Sequence, residues 1–396
     1  MIAIIFHPSF PNRGIYLLIQ SALLALFFSC SNSHVRQESY THEILLSQDK
    51  YIHLDDYTTQ STEYLQIVEQ NDSVFLAFIN AYDNSITIHY LESGEFHKKI
   101  YFDKEGSNGV GKLYAFCFAD SSIYLYNQWV RKLFVSDLNA KLRKAIDIDL
   151  TRFSSDNMFP PTLFPLTLSP INKIGEEIIL TGFSLSANEN KNETEENMPT
   201  TAVYNLENDK IILCNGFPSI YHKGYWGADL NYRVVRYCID SQNKIVLSYA
   251  VDEDIYVLDS LGGAKKAYYA GSKEQTEKIK PIDNDRSSVN ITRENVYSFY
   301  MENFIYGGIL YDKYNQVFYR ICSMPTYNYS KESRIIEKKL HVIILDEQFN
   351  KIGESTLPDA PYLILSYFVS PEGLHIQVDS EDDDVMAFKT FKIKRI

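Results

Sequence analysis

The chain has 396 residues, with 38 Lys and Arg against 51 Asp and Glu, a formal net charge of −13. That balance argues against a nucleic-acid partner, and it offers no polybasic patch to hold anionic lipid. Tyr and Phe are abundant, at 30 and 23, while the five Cys include no C-x-x-C pair of the kind that zinc or redox work needs.

The first element is an export signal: one positive charge, Arg13, then an apolar stretch from Ile15 to Phe28 broken only by Gln20 and Ser21. Fourteen residues at ~1.5 Å each give a helix of about 21 Å, short of the ~30 Å hydrocarbon core, so cleavage is expected rather than a membrane span. Ser29 and Cys30, with Phe27 two residues earlier, have the form of a lipobox, although Phe stands where Leu is commoner. Residues 1–29 then form the signal peptide, Cys30 is the lipidated N-terminus, and 30–40 is a polar tether. The alternative is a plain signal peptide with Cys30 a bystander. Lipid on one Cys holds a protein at a membrane surface without spanning it. Ser31 in place of Asp points to the outer membrane, and SNSHVRQES, lacking an acidic run, points to its periplasmic leaflet. Cys117, Cys214, Cys238 and Cys322 are expected as free thiols, because a chain this long builds a core without disulfide staples.

From Thr41 to Ile396 the sequence reads as one all-β domain. Six segments repeat an acidic or Ser-Pro turn followed by a β-rich run: QNDSVFLAF, ADSSIYLY, SPINKIGEEIILTG, IDSQNKIVLSY, YDKYNQVFYRI and VSPEGLHIQV, with starts 49 to 72 residues apart. A second hairpin follows each of the first five, around Glu92, Asp137, Glu207, Asp259 and Asp346. The missing outer strand is assigned to Thr41–Ser47, which would pair with VMAFKTFKI and bury Ile44, Leu45 and Leu46. Six units of two hairpins predict a six-bladed β-propeller closed by an N-terminal strand. A β-sandwich of the same strands would not predict the paired-hairpin repeat with its offset end.

The lipobox, the length near 400, the GSK at Gly271–Lys273 and the segment ILYDKYNQVFYRI together resemble a family of uncharacterised bacterial lipoproteins known only by a domain of unknown function. The resemblance covers essentially the whole mature chain and implies fold and envelope location. It carries no catalytic residue. The architecture also resembles TolB-like six-bladed propellers, an analogy of fold alone.

In a propeller the turns within hairpins emerge on one face and the longer connections on the other. The irregular sequence falls almost wholly in the second set, so that loop face is the candidate site. Within it, IYHKGYWGADLNYR offers Tyr221, His222, Tyr225 and Trp226, followed by Asp229, Asn231 and Arg233, and Trp129 lies in the turn YNQWVRK. Aromatic faces beside amide and charged groups suit sugar rings or peptides; the same aromatics could instead plug the space between two blades. Acidic runs at Asp252–Asp254, Asp379–Asp384 and Asp283–Asp285 contain oxygen ligands but not the spaced calcium loop, and solvated turns are expected. Catalytic motifs are lacking: Leu46 stands where an H-E-x-x-H begun by His42 and Glu43 needs its second imidazole, and there is no G-x-S-x-G elbow. Arg320 reads as a buried charge in an ion pair. The function expected is a non-catalytic binding or scaffolding lipoprotein for a glycan, peptide or protein, with no cofactor and no nucleic acid. The alternative is a polysaccharide hydrolase or lyase with carboxylates or His222 at the channel mouth.

Overall fold

The recurring acidic residue of the sequence is a turn-former. Asp137 and Asp346 end a strand and Asp240 directly follows one, and each carboxylate accepts the backbone N–H groups two and four residues on, at 2.8–2.9 Å. The residue three places on takes positive φ: Ala140 at 62°, Asn243 at 60° and Phe349 at 64°. Each such turn folds the chain back into an antiparallel pair, the role Asp plays through its short hydrogen-bonding side chain.

In the computed structural model, which describes residues 40–396 except 63, 155–157, 185–197, 223, 227–229, 284–291, 328 and 330–337, these pairs build six antiparallel sheets. Blade 1 runs from the inner strand Leu65–Gln70 through Ser73–Asn80 and Ser85–Tyr90 to Phe96–Tyr101; blade 2 follows with Ala115–Ala119, Ser122–Asn127, Lys132–Asp137 and Leu142–Asp147. Blade 3 has a split inner strand, Thr162–Leu163 and Asn172–Ile174, then Glu177–Phe183, Pro199–Asn205 and Ile211–Gly216. Blade 4 comprises Arg236–Ile239, Ile245–Ser248, Asp254–Leu258 and Lys266–Tyr269, and blade 5 Ile305–Asp312, Val317–Ser323, Leu340–Asp346 and Lys351–Thr356. Blade 6 takes Tyr362–Ser370, Gly373–Val378 and Val385–Arg395 from the end of the chain and its outer strand, His42–His53, from the beginning. The protein is a six-bladed β-propeller.

The closing strand is longer than the expected Thr41–Ser47. It pairs from His42 with Arg395 to His53 with Val385, and a bulge between Leu46 and Gln48 shifts the register. Ile44 and Ile52 are buried, whereas Leu45 and Leu46 are exposed, which corrects the expectation that all three early apolar residues pack inward. Alternation across the strand allows only every second residue to face the core.

Tyr40, two residues before this strand and at a position assigned above to the tether, is tied to blade 5. The Tyr40 hydroxyl donates to Glu354 Oε1 at 2.5 Å, and its ring lies 5.1 Å from the Lys273 ammonium and 5.4 Å from that of Lys351. Glu354 also accepts from Ser272 Oγ, the Lys273 backbone N–H and His341 Nε2, so the GSK segment is a cradle for a buried carboxylate. Burial alone would raise this carboxyl; the bonds from His341 and Tyr40 and the Lys351 charge hold it down to about 2. A carboxylate depressed in the folded state stabilises above its unfolded pKa and loses that contribution as pH falls through the folded value. Stability should therefore drop between about pH 4.5 and pH 2 by on the order of 3 kcal/mol from this group. Glu354→Gln should flatten that part of a urea-midpoint profile, and an unchanged acid limb would contradict the assignment.

The axis is filled. Between the two halves of the blade 3 inner strand, the chain from Phe164 to Ile171 crosses inward: Leu65 N of blade 1 donates to Thr167 Oγ1, and Tyr237 N of blade 4 donates to Leu168 O, both at 3.2 Å. Leu168 joins an apolar cluster with Tyr362 and Tyr367 of blade 6. On the turn face, Lys313 and the Tyr314 hydroxyl of blade 5 both close on the Glu69 carboxylate of blade 1. A cavity of about 20 Å³ remains among Leu168, Val234, Arg236, Ile364, Leu365 and Tyr367.

Arg320 is fully buried but its hydrogen bonds go to no carboxylate, which corrects the expected ion pair. Its Nε donates to Ser248 Oγ at 3.0 Å; its terminal nitrogens donate to the carbonyls of Asp252 and Glu253 at 2.7 Å, Ala270 at 3.0 Å, Asp254 at 3.3 Å and Tyr249 at 3.4 Å. The guanidinium lies 4.0 Å from the Tyr306 ring centroid. One side chain of blade 5 thus shapes the loop between the middle strands of blade 4.

Candidate functional site

Tyr221 and Trp226 are 3% and 4% exposed, inside an apolar cluster between blades 3 and 4. Tyr221 packs on Phe217 at 4.9 Å and on Trp226 at 5.8 Å between centroids, and its hydroxyl donates to Tyr232 O. Arg233 is buried with its guanidinium 5.4 Å from the Phe217 ring. His222 Nε2 lies 3.2 Å from Phe217 O, and Tyr225 forms an isolated bridge with Asp283. Tyr221 and Trp226 are thus packed between the blades, while His222 and Tyr225 are half-buried beside them. Asp229 and the Asn231 side chain lie outside the described residues, as do Cys30 and the whole segment 1–39.

Trp129 is placed differently. It is 73% exposed on the loop face, in the turn between the middle strands of blade 2. Beneath it the buried amide of Asn127 accepts from Trp129 N at 3.0 Å and Val130 N at 3.3 Å, while its Nδ2 donates to Val110 O and Lys112 O at 3.0 Å. Gly111, at φ +73°, leaves room for that amide: a Cβ there would lie 2.6 Å from Asn127 Nδ2. One buried side chain therefore fixes both the tryptophan turn and the neighbouring connection. That connection carries Tyr114, whose ring sits 6.3 Å from Trp129 with the Lys112 ammonium 5.4 Å above it. Beside the turn a cavity of about 170 Å³ opens between blades 2 and 3, lined by Tyr126, Gln128, Arg131, Thr151 and Ser154 with Pro160 and Pro161 as an apolar wall. A flat exposed ring next to hydroxyl, amide and guanidinium donors can stack and orient a polyhydroxylated ligand.

Asn127 escaped the sequence reading, as did Asn80 and Asn84. The available signal was position: Asn80 and Asn127 each end the second strand of their blade, in INAYDN and YNQWVR, immediately before a short turn.

The small cavity beside Leu168 has no Asp or Glu in its lining. Among the described residues no three His, Cys, Asp or Glu side chains come together as a metal site. Asp252 instead accepts from the Tyr256 hydroxyl and the Asp254 N–H; Asn284 and Asp285 lie outside the described residues. Carboxylates do meet in a turn-face groove of about 760 Å³ at the closure seam, where Asp72, Glu92 and Glu372 face Lys50 and Lys392, with Glu372 paired to Lys50 at 2.8 Å. Cys117, Cys214, Cys238 and Cys322 are free, and burial pushes the Cys117 and Cys322 thiols up to about 12, which leaves them inert.

The sequence matches, over residues 41–356, a family described as a domain of unknown function, DUF4221. The chain belongs to the DUF4221 family. A DUF4221 protein from Bacteroides vulgatus ATCC 8482, solved by crystallography, is similar with a TM-score of 0.73 and 21% identity, covering 90% of this chain and 99% of its own. A candidate exported protein from Bacteroides fragilis NCTC 9343 is similar with a TM-score of 0.53 and 10% identity, covering 91% of this chain and 98% of its own. At these identities the likeness is one of fold. No protein of curated function matches the sequence. Among the described residues of this DUF4221 chain no helix is long and apolar enough to cross a membrane.

Proposed function

We propose that this DUF4221 protein is a lipid-anchored envelope protein, held through Cys30 at the periplasmic side of the outer membrane, that binds a glycan non-catalytically on its loop face. The observation that carries the reading is Trp129: a large apolar ring left 73% in water on a turn whose backbone is fixed by a buried asparagine, beside a polar cavity. An exposed tryptophan on a fixed turn is a poor choice for solubility and a good one for stacking. A peptide added to a sheet would need an open strand edge, and those lie on the outer wall, away from this turn. The export-type N-terminal sequence and the similarity to a candidate exported protein support the location.

Trp129→Ala should weaken binding of a neutral oligosaccharide at least about tenfold, the loss of one aromatic stack, while the melting temperature stays unchanged because the ring packs little. Calorimetric titration of β-1,4-linked glucose, mannose and N-acetylglucosamine oligomers would measure it. Equal affinity of wild type and variant would remove the reading.

A further inference from the structure

Blade 1 carries a second exposed aromatic pair on the same face. Tyr57 and Tyr82 are 62% and 69% exposed, with ring centroids 6.3 Å apart and planes inclined by 32°. One buried amide again sets both: Asn80 Nδ2 donates to Tyr57 O at 2.6 Å, and Asn80 Oδ1 accepts from Tyr82 N at 3.2 Å. Two residues after Tyr82, Asn84 donates to Gly111 O and accepts from Leu113 N, both at 3.0 Å. The turn bearing Tyr82 is thereby bonded to the connection bearing Tyr114, which in turn flanks Trp129. The two aromatic stations belong to one continuous, hydrogen-bonded piece of the loop face.

The charges beside Tyr57 and Tyr82 decide what kind of chain could lie there. Asp55 and Asp83 flank the pair, and an ammonium already sits between them: Lys99 Nζ is 2.9 Å from Asp55 and 3.0 Å from Asp83, with the Lys99 side chain almost wholly buried. The place a ligand cation would take is filled from within. Next to it runs the acidic turn at Asp382–Asp384, joined through Leu54 N to Asp384 O and Gln60 Nε2 to Asp383, which repels an anionic chain. Stacking surfaces and neutral hydrogen-bonding capacity are what remain at this station, whose acidic turn outweighs for a longer chain the Lys112 and Arg131 cations beside Trp129.

We propose that the loop face of blades 1 and 2 is a two-station track for a linear neutral glycan, with Trp129 and Tyr114 holding one part of the chain and Tyr57 and Tyr82 another. This rests on the reading of Trp129 as a stacking residue and adds the length and charge of the ligand. The test is titration of neutral β-1,4-linked glucose, mannose and N-acetylglucosamine oligomers of two to eight units, with polygalacturonate and a sulfated glycan as anionic probes. Wild type should bind longer neutral oligomers more tightly and the anionic chains weakly or not at all. The double substitution Tyr57→Ala, Tyr82→Ala should leave the shortest bound oligomer within about twofold and cost the longest about tenfold, whereas Trp129→Ala should weaken every length. Both tyrosines are exposed, so melting curves of the double variant should match wild type. Length-independent binding by wild type, or equal losses for short and long oligomers, would overturn the second station while leaving Trp129 standing. Preference for the anionic chains would overturn the charge argument. No effect of Trp129→Ala at any length would remove the underlying reading instead.

Discussion

A chain beginning at Leu54 should fail to reach the cooperative melt shown by one beginning at Tyr40. The missing residues include the whole outer strand of blade 6, and with it two buried side chains, Ile44 and Ile52, together worth about 3 to 6 kcal/mol. Each lost ladder bond to Val385–Arg395 adds about 0.5 to 1.5 kcal/mol. The combined loss rivals the ~5 to 15 kcal/mol that stabilises a whole domain. It also strips the Val385–Arg395 edge, between the buried Phe388 and Phe391 and solvent, leaving a template for aggregation. Circular dichroism melts with light scattering would register both effects. A peptide spanning His42–His53 added in trans should restore part of the melt, since the strand is covalently joined to blade 6 only through the rest of the ring. Equal melting of the two chains would refute the closure.

Arg320→Met is expected to be the most damaging single substitution. It removes a donor from five backbone carbonyls and the Ser248 hydroxyl; Tyr249 O and Glu253 O keep bonds from Asp252 N and Ala270 N, and each remaining buried group left unsatisfied costs about 1 to 3 kcal/mol. A destabilisation of at least about 3 kcal/mol follows even if some carbonyls relax. Arg320→Lys keeps the charge but not the planar fork of donors, so it should fall between the two. The loop Tyr249–Asp254 should become the new site of limited proteolysis in both variants. Urea midpoints within experimental error of wild type would show that the guanidinium does not hold that loop.

These two expectations differ in how far the sequence foretold them. The closing strand was legible because Asp and Ser-Pro turns repeat, and because a carboxylate that accepts two N–H groups must stand at a fixed place in its hairpin; five second hairpins for six first ones then left one vacancy. The register was harder: a bulge after Leu46 sends that side chain outward, and nothing in THEILLS marks it. The clamp at Arg320 could not be read, because its partners are main-chain carbonyls and leave no residue type in the sequence. The axial plug is hidden for a similar reason, its TLFPLTLSP composition being that of any apolar strand with a proline kink. Tyr221 and Trp226 were visible as an aromatic cluster, but aromatic residues fill gaps between blades as readily as they stack on ligands. What separates Trp129 from them is exposure, and exposure follows from Asn127, a buried amide whose role depends on two segments that meet only in the folded chain.

The central claim, that Trp129 is the surface a neutral glycan covers, can be tested on the unmodified protein by acrylamide quenching, because the chain has only two tryptophans and the other, Trp226, is buried. In the free protein one component of the emission should be readily quenched and the other shielded. Saturation with a hexamer of β-1,4-linked glucose, mannose or N-acetylglucosamine should protect the accessible component and shift its emission to the blue. A hexamer that binds by calorimetry while leaving the accessible tryptophan as quenchable as before would contradict the account.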